Sequence, residues 1–345
     1  MIDGIDFLQL LWFLLIALLF MIFYFTEGFD YGVGMATQFL AKNDQEKHVM
    51  METIGPHWDG NEVWLITAGG AMFASFSDWY ASLFSGYYIL LFFTLFALII
   101  RGVSFEFSAH AETEHGFRIW TSALFWGSLL APFFLTMMFG SLIQGVPIDA
   151  QGNMSLSFWN IVNPLSVVAG VAGVLLCLIH GINFLRLRID DPELSKRAAN
   201  LNEKLYLVAY LGEIVFALLV FFQTDFFKLR PISSTIITLL IVVLTAWSDI
   251  ALIKNKQGAA FVTSGLTLVA VVGLLFNGLF PRVLIATDPA HSLLIKNAAN
   301  SKLTLEVMTV VALILLPIAL AYIIWSYVVF RHRIKVNQNA NLEQE

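Results

Sequence analysis

Five ionisable residues stand in stretches that are otherwise apolar, and their spacing suits proton chemistry. The first apolar stretch ends Thr26-Glu27-Gly28-Phe29-Asp30-Tyr31-Gly32, and the second carries His57-Trp58-Asp59-Gly60-Asn61-Glu62-Val63-Trp64. Glu27 and Asp30 are three residues apart, as are Asp59 and Glu62, so each pair shares one helical face. Arg101 closes a third stretch at Ile100-Arg101. An ionisable side chain within a bilayer costs about 2.5–3.5 kcal/mol on insertion scales, so each of these demands a partner or a function. Four carboxylates against one guanidinium cannot all be neutralised locally. Either some of them hold a proton, or water or a partner protein compensates. Three readings are open: a proton-conducting path, helix–helix hydrogen bonding with Arg101 as counter-ion, or the substrate or ion site of a transporter.

Other polar residues have blander readings beside the chemical ones. His180 could ligate haem or a metal, or be a hydrogen-bonded packing residue. Glu213, near the middle of a span, and Asp249, near the inner end of the next, suit pairing with polar groups of neighbouring helices. Glu306 begins the last span, where an acidic residue complements the helix dipole. Trp79, Tyr80, Trp325 and Tyr327 lie at span ends and read as interfacial belts. Gly69-Gly70-Ala71 would allow close helix contact. The single cysteine, Cys177, lies in an apolar run and excludes a disulfide framework, a Cys-based metal site and an iron–sulfur cluster. His110 and His115 are five apart in a loop, and no His-rich metal spacing, phosphate loop or nucleophile triad is readable.

The elements that must position these residues follow from composition. Of 345 residues, 58% are hydrophobic and 13% charged, with 31 Phe; the mean hydropathy is +0.77. Soluble domains carry about 25% charged residues. The chain is therefore no soluble globular protein, disordered segment or nucleic-acid binder. It reads as an all-α integral membrane protein of about nine transmembrane helices packed as helical bundles, one polytopic domain over 1–345. The expected spans are 7–28, 53–76, 80–100, 118–143, 163–185, 205–222, 233–253, 261–280 and 304–330, followed by a polar tail at 331–345. The acidic start of the chain, with no small-residue cleavage site after it, makes the first stretch a retained span rather than a secretory signal. Of the 19 Lys and Arg, only Lys228, Arg230, Arg282, Lys296 and Lys302 fall on the N-terminal side of the membrane. The positive-inside rule then puts the N-terminus outside and the C-terminus in the cytoplasm. With that topology Glu27, Asp30, Asp59, Glu62 and Arg101 all fall in the inner half of the membrane.

At Gly28-Phe29-Asp30-Tyr31-Gly32-Val33-Gly34 and Pro56-His57-Trp58-Asp59-Gly60-Asn61-Glu62-Val63-Trp64-Leu65 the sequence resembles subunit II of cytochrome bd quinol oxidase. Shorter matches follow in order: Phe84-Ser85-Gly86-Tyr87, Arg101-Gly102-Val103, Phe105-Glu106, Gln144-Gly145-Val146-Pro147, Asn163-Pro164-Leu165, Ser301-Lys302-Leu303-Thr304-Leu305 and Pro317. The resemblance implies a bacterial terminal oxidase of the cytoplasmic membrane that oxidises quinol and reduces O₂ to water. It implies subunit I as partner, carrying haem b and haem d on its own ligands, so that His57 and His180 are not haem ligands. Small single-span accessory subunits and membrane lipid are further implied partners, and some members hold a structural quinone. It implies proton-path roles for Asp59 first, then Glu62, Glu27 and Asp30, and an O₂-route role for Trp64. After Phe105-Glu106-Phe107 the family often has a basic residue where this chain has Ser108-Ala109. The loop between the sixth and seventh spans is also shorter than in some members. A proton- or cation-coupled secondary transporter and a structural membrane scaffold are the rival readings.

Overall fold

In hydrocarbon, backbone N–H and C=O groups must be satisfied within the segment, so long apolar runs become helices. The computed structural model describes residues 4–336. Its helices begin with α1 (Phe7–Leu40), α2 (Asp44–Ile54), α3 (Trp58–Ser75), α4 (Ser77–Gly86), α5 (Tyr88–Ala109) and α6 (Glu114–Gln144). Then come α7 (Phe158–Ile161), α8 (Pro164–Arg188), α9 (Pro192–Gln223), α10 (Phe226–Leu229), α11 (Pro231–Ile253) and α12 (Gln257–Leu279). A short antiparallel pair, β1 (Arg282–Leu284) and β2 (Leu293–Leu294), precedes α13 (Ile295–Ala298) and α14 (Lys302–Val329).

Among the described residues, eight helices are long and apolar enough to cross a membrane: α1, α5, α6, α8, α9, α11, α12 and α14. The expected span 53–76 is α3, whose Asp59, Asn61 and Glu62 lower its hydropathy. It nevertheless runs the depth of the bundle. Its Asn61 bonds to α1, and at its far end Ala74 O and Ser75 O accept from Asn300 Nδ2 at 2.8 Å and Asn300 N at 2.9 Å.

Three expected boundaries move. The helix that carries the first expected span runs past 28: α1 continues to Leu40, so Glu27 and Asp30 sit within the helix rather than at its C-terminus. Packing carries the helix through this glycine-rich stretch. A Cβ on Gly32 would lie 2.0 Å from Cys177 O and 2.7 Å from Gly181 Cα, so α1 and α8 touch backbone to backbone there. The expected 80–100 is split at Tyr87 into α4 and α5, which places Arg101 inside α5 rather than at a helix end. The expected 205–222 is the later part of α9, which starts at Pro192 behind the Asp191 N-cap. Of the expected tail 331–345, residues 337–345 lie outside the described residues.

Helix α1 is central and packs on α3, α6, α8 and α12. It joins a first group (α1, α3, α5, α6) to a second (α8, α9, α11, α12), while α14 lies against α3 and α1 and buries only Leu305. The two groups share a local device. Glu27-Gly28-Phe29-Asp30-Tyr31 on α1 corresponds to His180-Gly181-Ile182-Asn183-Phe184 on α8, and Asn61-Glu62 on α3 to Asn202-Glu203 on α9. Asn61 Nδ2 donates to Thr26 O at 3.4 Å and Asp30 Oδ2 at 2.6 Å. Asn202 Nδ2 donates in the same pattern to Ile179 O at 3.2 Å and Asn183 Oδ1 at 2.9 Å. Where the first copy has Glu27 and Asp30, the second has His180 and Asn183.

Two of the expected aromatic belt residues are inside. Trp79 is buried and packs with Phe13, Phe76 and Phe276, because the α3–α4 break at Phe76 turns it inward. Tyr327 is drawn onto α3 by a hydrogen bond to Asn61. Among the described residues, a Cβ on Gly69 would meet only Phe84 Cζ at 3.9 Å and one on Gly70 nothing within 4 Å, so neither marks a close helix crossing.

The connections at the N-terminal end of α1 are pinned by polar contacts. Arg282 donates from Nη1 and Nη2 to the two Asp225 oxygens at 2.6 and 2.9 Å. Replacing Arg282 with Met is expected to cost about 1.5 kcal/mol, the scale of a charge-assisted hydrogen-bonded pair. Thermal unfolding of the purified complex in detergent checks this, and an unchanged midpoint would mean that the pair holds nothing. In the nearby turn, the Asn153 backbone N–H and side chain hold the exposed Asp149 carboxyl below its usual range.

Candidate functional site

The site forms where α1, α3 and α5 meet. Helices α5 and α6 approach closely at Gly127, where a Cβ would lie 2.8 Å from both Ala97 O and Arg101 Cβ. Arg101, fully buried, donates from Nη1 to Glu27 Oε1 and lies 3.4 Å from Glu62 Oε2. The guanidinium carbon sits 4.8 Å from the Tyr31 ring centroid, with Trp58 and Phe105 at 6.0 and 5.7 Å. Trp58 and Phe105 stack on each other at 4.9 Å. The cation is thus held by one buried carboxylate, one half-buried carboxylate and an aromatic wall, which desolvates it and strengthens each attraction.

Asp30 is fully buried and is reached by Asn61, whose own Oδ1 accepts from Tyr327 OH at 2.8 Å. His57 stacks on the Tyr327 ring at 4.3 Å with 3° between planes. A polar chain therefore runs Asp30, Asn61, Tyr327 across α1, α3 and α14. Arg101 Nε and Nη2, Glu27 Oε2, Asp30 Oδ1 and Tyr31 OH are buried without a protein hydrogen-bond partner.

Four of the five expected residues come together: Glu27, Asp30, Glu62 and Arg101. Asp59 does not join them. It is exposed one helical turn before Glu62, because the start of α3 presents Asp59 and Gly60 outward while Asn61 turns in. Trp64 is buried, with its indole N–H unpartnered. Sequence reasoning assigned no role to Asn61 and read Tyr327 as a belt residue. The signal for Asn61 was its polarity inside a span, and for Tyr327 nothing local distinguished it from an interfacial ring.

The remaining candidates are structural in their contacts. His180 Nε2 lies 3.0 Å from Phe25 O and so carries the hydrogen, while Nδ1 lies 2.8 Å from Ser264 Oγ. Phe261 stacks on its ring at 4.7 Å. Glu213 Oε1 accepts from Thr245 Oγ1 at 2.5 Å, and Asp249 Oδ2 from Tyr210 OH at 2.8 Å, as pairing across helices requires. Glu306 lies 3.8 Å from Lys302 Nζ in the first turn of α14.

Comparison with known proteins bears on this centre. The profile of the family described as cytochrome bd terminal oxidase subunit II matches residues 8–330. The chain is 42% identical over 325 residues to the cytochrome bd ubiquinol oxidase subunit 2 of Bacillus subtilis, covering 94% of this chain and 96% of that one. It is 33% identical over 358 residues to the cytochrome bd-I ubiquinol oxidase subunit 2 of Escherichia coli, covering 93% of each. Its fold is similar to a chain of the bd oxidase structure from Geobacillus thermodenitrificans, with TM-score 0.74, 16% identity and coverage of 94% of this chain and 98% of that chain.

Proposed function

Because this chain belongs to the cytochrome bd terminal oxidase subunit II family, we propose that it serves a bacterial quinol oxidase as the subunit that supports subunit I and supplies protons, and O₂, to it. The family match over residues 8–330 is the observation that carries the reading. The rival transporter and scaffold readings of the same carboxylates are not favoured by relatives that are oxidase subunits.

The oxidase reaction takes electrons from quinol and combines them with O₂ and protons to give water. Haem b and haem d would supply the electron transfer and O₂ chemistry. His180 does not fit as an axial ligand, since both of its ring nitrogens are engaged. The haems therefore belong on subunit I in this reading.

The proton role rests on a gradient of exposure. Asp59 is exposed, Glu62 is half-buried one turn on, and Glu27 and Asp30 are fully buried behind Arg101. Protons enter from the cytoplasmic side, where the basic loops place the C-terminus, and the N-terminus lies outside. Asp59 takes them up at the surface and passes them to Glu62. The unpartnered atoms around Arg101 suit bridging water, and Trp64 lines the apolar O₂ route.

The complex of this chain with subunit I is expected to show haem d absorbance, and the chain alone little or none. A haem-free preparation that catalyses substrate uptake into vesicles would overturn the oxidase reading. Asp59→Asn keeps the shape and removes the titrating group. It is expected to slow quinol oxidation and proton uptake by about a hundredfold, the lower end of what a positioned proton-transfer group contributes, with haem content unchanged. Unaltered turnover at full haem occupancy would remove Asp59 from the path.

A further inference from the structure

Helix α8 ends in two arginines that are buried and lack acidic partners. Arg186 is 5% exposed and Arg188 7%. Among the described residues no carboxylate lies within 4 Å of either guanidinium. Arg186 Nη2 donates to Asn255 Oδ1 at 2.9 Å, while its Nε and Nη1 have no partner. Arg188 Nε is likewise buried and unpartnered, and its guanidinium carbon lies 5.9 Å from the Phe184 ring centroid. Glu203 and Tyr206 are within electrostatic reach of Arg186, and His57 of Arg188.

The chain after α14 brings a third arginine to this corner. Ile334 N donates to Arg188 O at 2.9 Å and Asp190 N to Ile334 O at 2.8 Å, so Ile189 and Ile334 form an isolated parallel bridge. The neighbouring Arg333 donates to Gln257, two residues beyond the Asn255 that holds Arg186. Lys254 and Lys256 flank Asn255 on the exposed turn.

A buried cation whose nearest carboxylates lie beyond ion-pair distance is poorly compensated, so these free donors suit an anion from outside the described chain. Depth identifies its chemistry. The 25 residues of α8 span about 37 Å, against a hydrocarbon core of about 30 Å, so the last turn lies among lipid head groups. The anions at that level are phosphates, which guanidinium groups bind through paired N–H donors. We propose that Arg186 and Arg188, with Arg333 at the rim, form a binding site for a phosphate ester, the head group of an anionic phospholipid.

The complete oxidase complex, delipidated in mild detergent, tests this with three probes. They are dioleoylphosphatidylglycerol, dioleoylphosphatidylcholine and inorganic phosphate. Native mass spectrometry reads retained lipid, and thermal unfolding reads stabilisation. The phosphatidylglycerol is expected to be retained and to raise the midpoint by several degrees, and the phosphatidylcholine to do neither. Arg186→Gln with Arg188→Gln is expected to cut phosphatidylglycerol retention at least tenfold and abolish the shift, while Arg188→Lys retains most of it. Equal retention by wild type and the Gln double variant overturns the site. Stabilisation by inorganic phosphate equal to that by phosphatidylglycerol overturns the lipid as its source. A chain ending at Val336 is expected to bind the lipid unchanged; a gain would make the tail carboxylates the partner and overturn the proposal. Loss of association with subunit I in the double variant, with no lipid on the wild type, would assign the arginines to that protein instead. Should the double variant fail to assemble, the wild-type preference for phosphatidylglycerol over phosphatidylcholine still decides.

Discussion

Arg101→Leu is expected to abolish most accumulation of assembled, haem-bearing complex. The substitution leaves Glu27 and Asp30 fully buried with no cation beside them. Removing one partner of a buried ion pair costs about 3–5 kcal/mol, because the other charge is left uncompensated in a medium that solvates it poorly. It also takes the cation from over the Tyr31 ring. Arg101→Lys keeps the charge but not the planar group, and so separates the two contributions: it is expected to restore part of the yield. The measurement is haem absorbance per membrane protein alongside subunit II on an immunoblot. A normal yield for the Leu variant would mean that the carboxylates stand neutral without Arg101, and the counter-ion assignment would fail.

Gly32→Ala should be nearly as damaging, for a reason with no charge in it. The added Cβ would lie 2.0 Å from Cys177 O and 2.7 Å from Gly181 N, both backbone atoms that no side-chain rotation can move. Helices α1 and α8 must separate along the seam that joins the two halves. Overpacking of a core costs about 1–3 kcal/mol where side chains can yield, and here only backbone can. Gly258→Ala is the matched control: its Cβ would meet nothing within 4 Å, and alanine favours the helix. Thermal unfolding of the two variants should differ by several degrees. Equal midpoints would show that the crossing can open without loss.

Much of this was readable from residue order. Apolar run length gave the helices, and Glu27, Glu62 and Arg101 were recognised as neighbours because alternating spans bring them to one depth. The outward position of Asp59 was not readable, because spacing tells which residues share a face and not which way that face points. The start of α3 turns Asn61 inward and leaves Asp59 outside. The length of α1 was missed because Glu27 and Asp30 look like a helix end, whereas close packing of Gly32 on the α8 backbone and of Gly34 on the Ser128 side chain carries the helix on to Leu40. Tyr327 could not be found locally, since its partner Asn61 is 266 residues away. Arg186 and Arg188 merged into the positive-inside count, where a buried arginine and an exposed one weigh the same.

The paired asparagines reach further than their hydrogen bonds. Asn202 holds Asn183 with the grip that Asn61 applies to Asp30, with an amide in place of the carboxyl. The molecule thus contains an edition of this contact built from two amides, at home in the same helical surroundings. Whatever that contact needs merely to stand can be supplied by amides. Acidity at Asp30 is an addition to the architecture, and chemistry is the place to look for its reason.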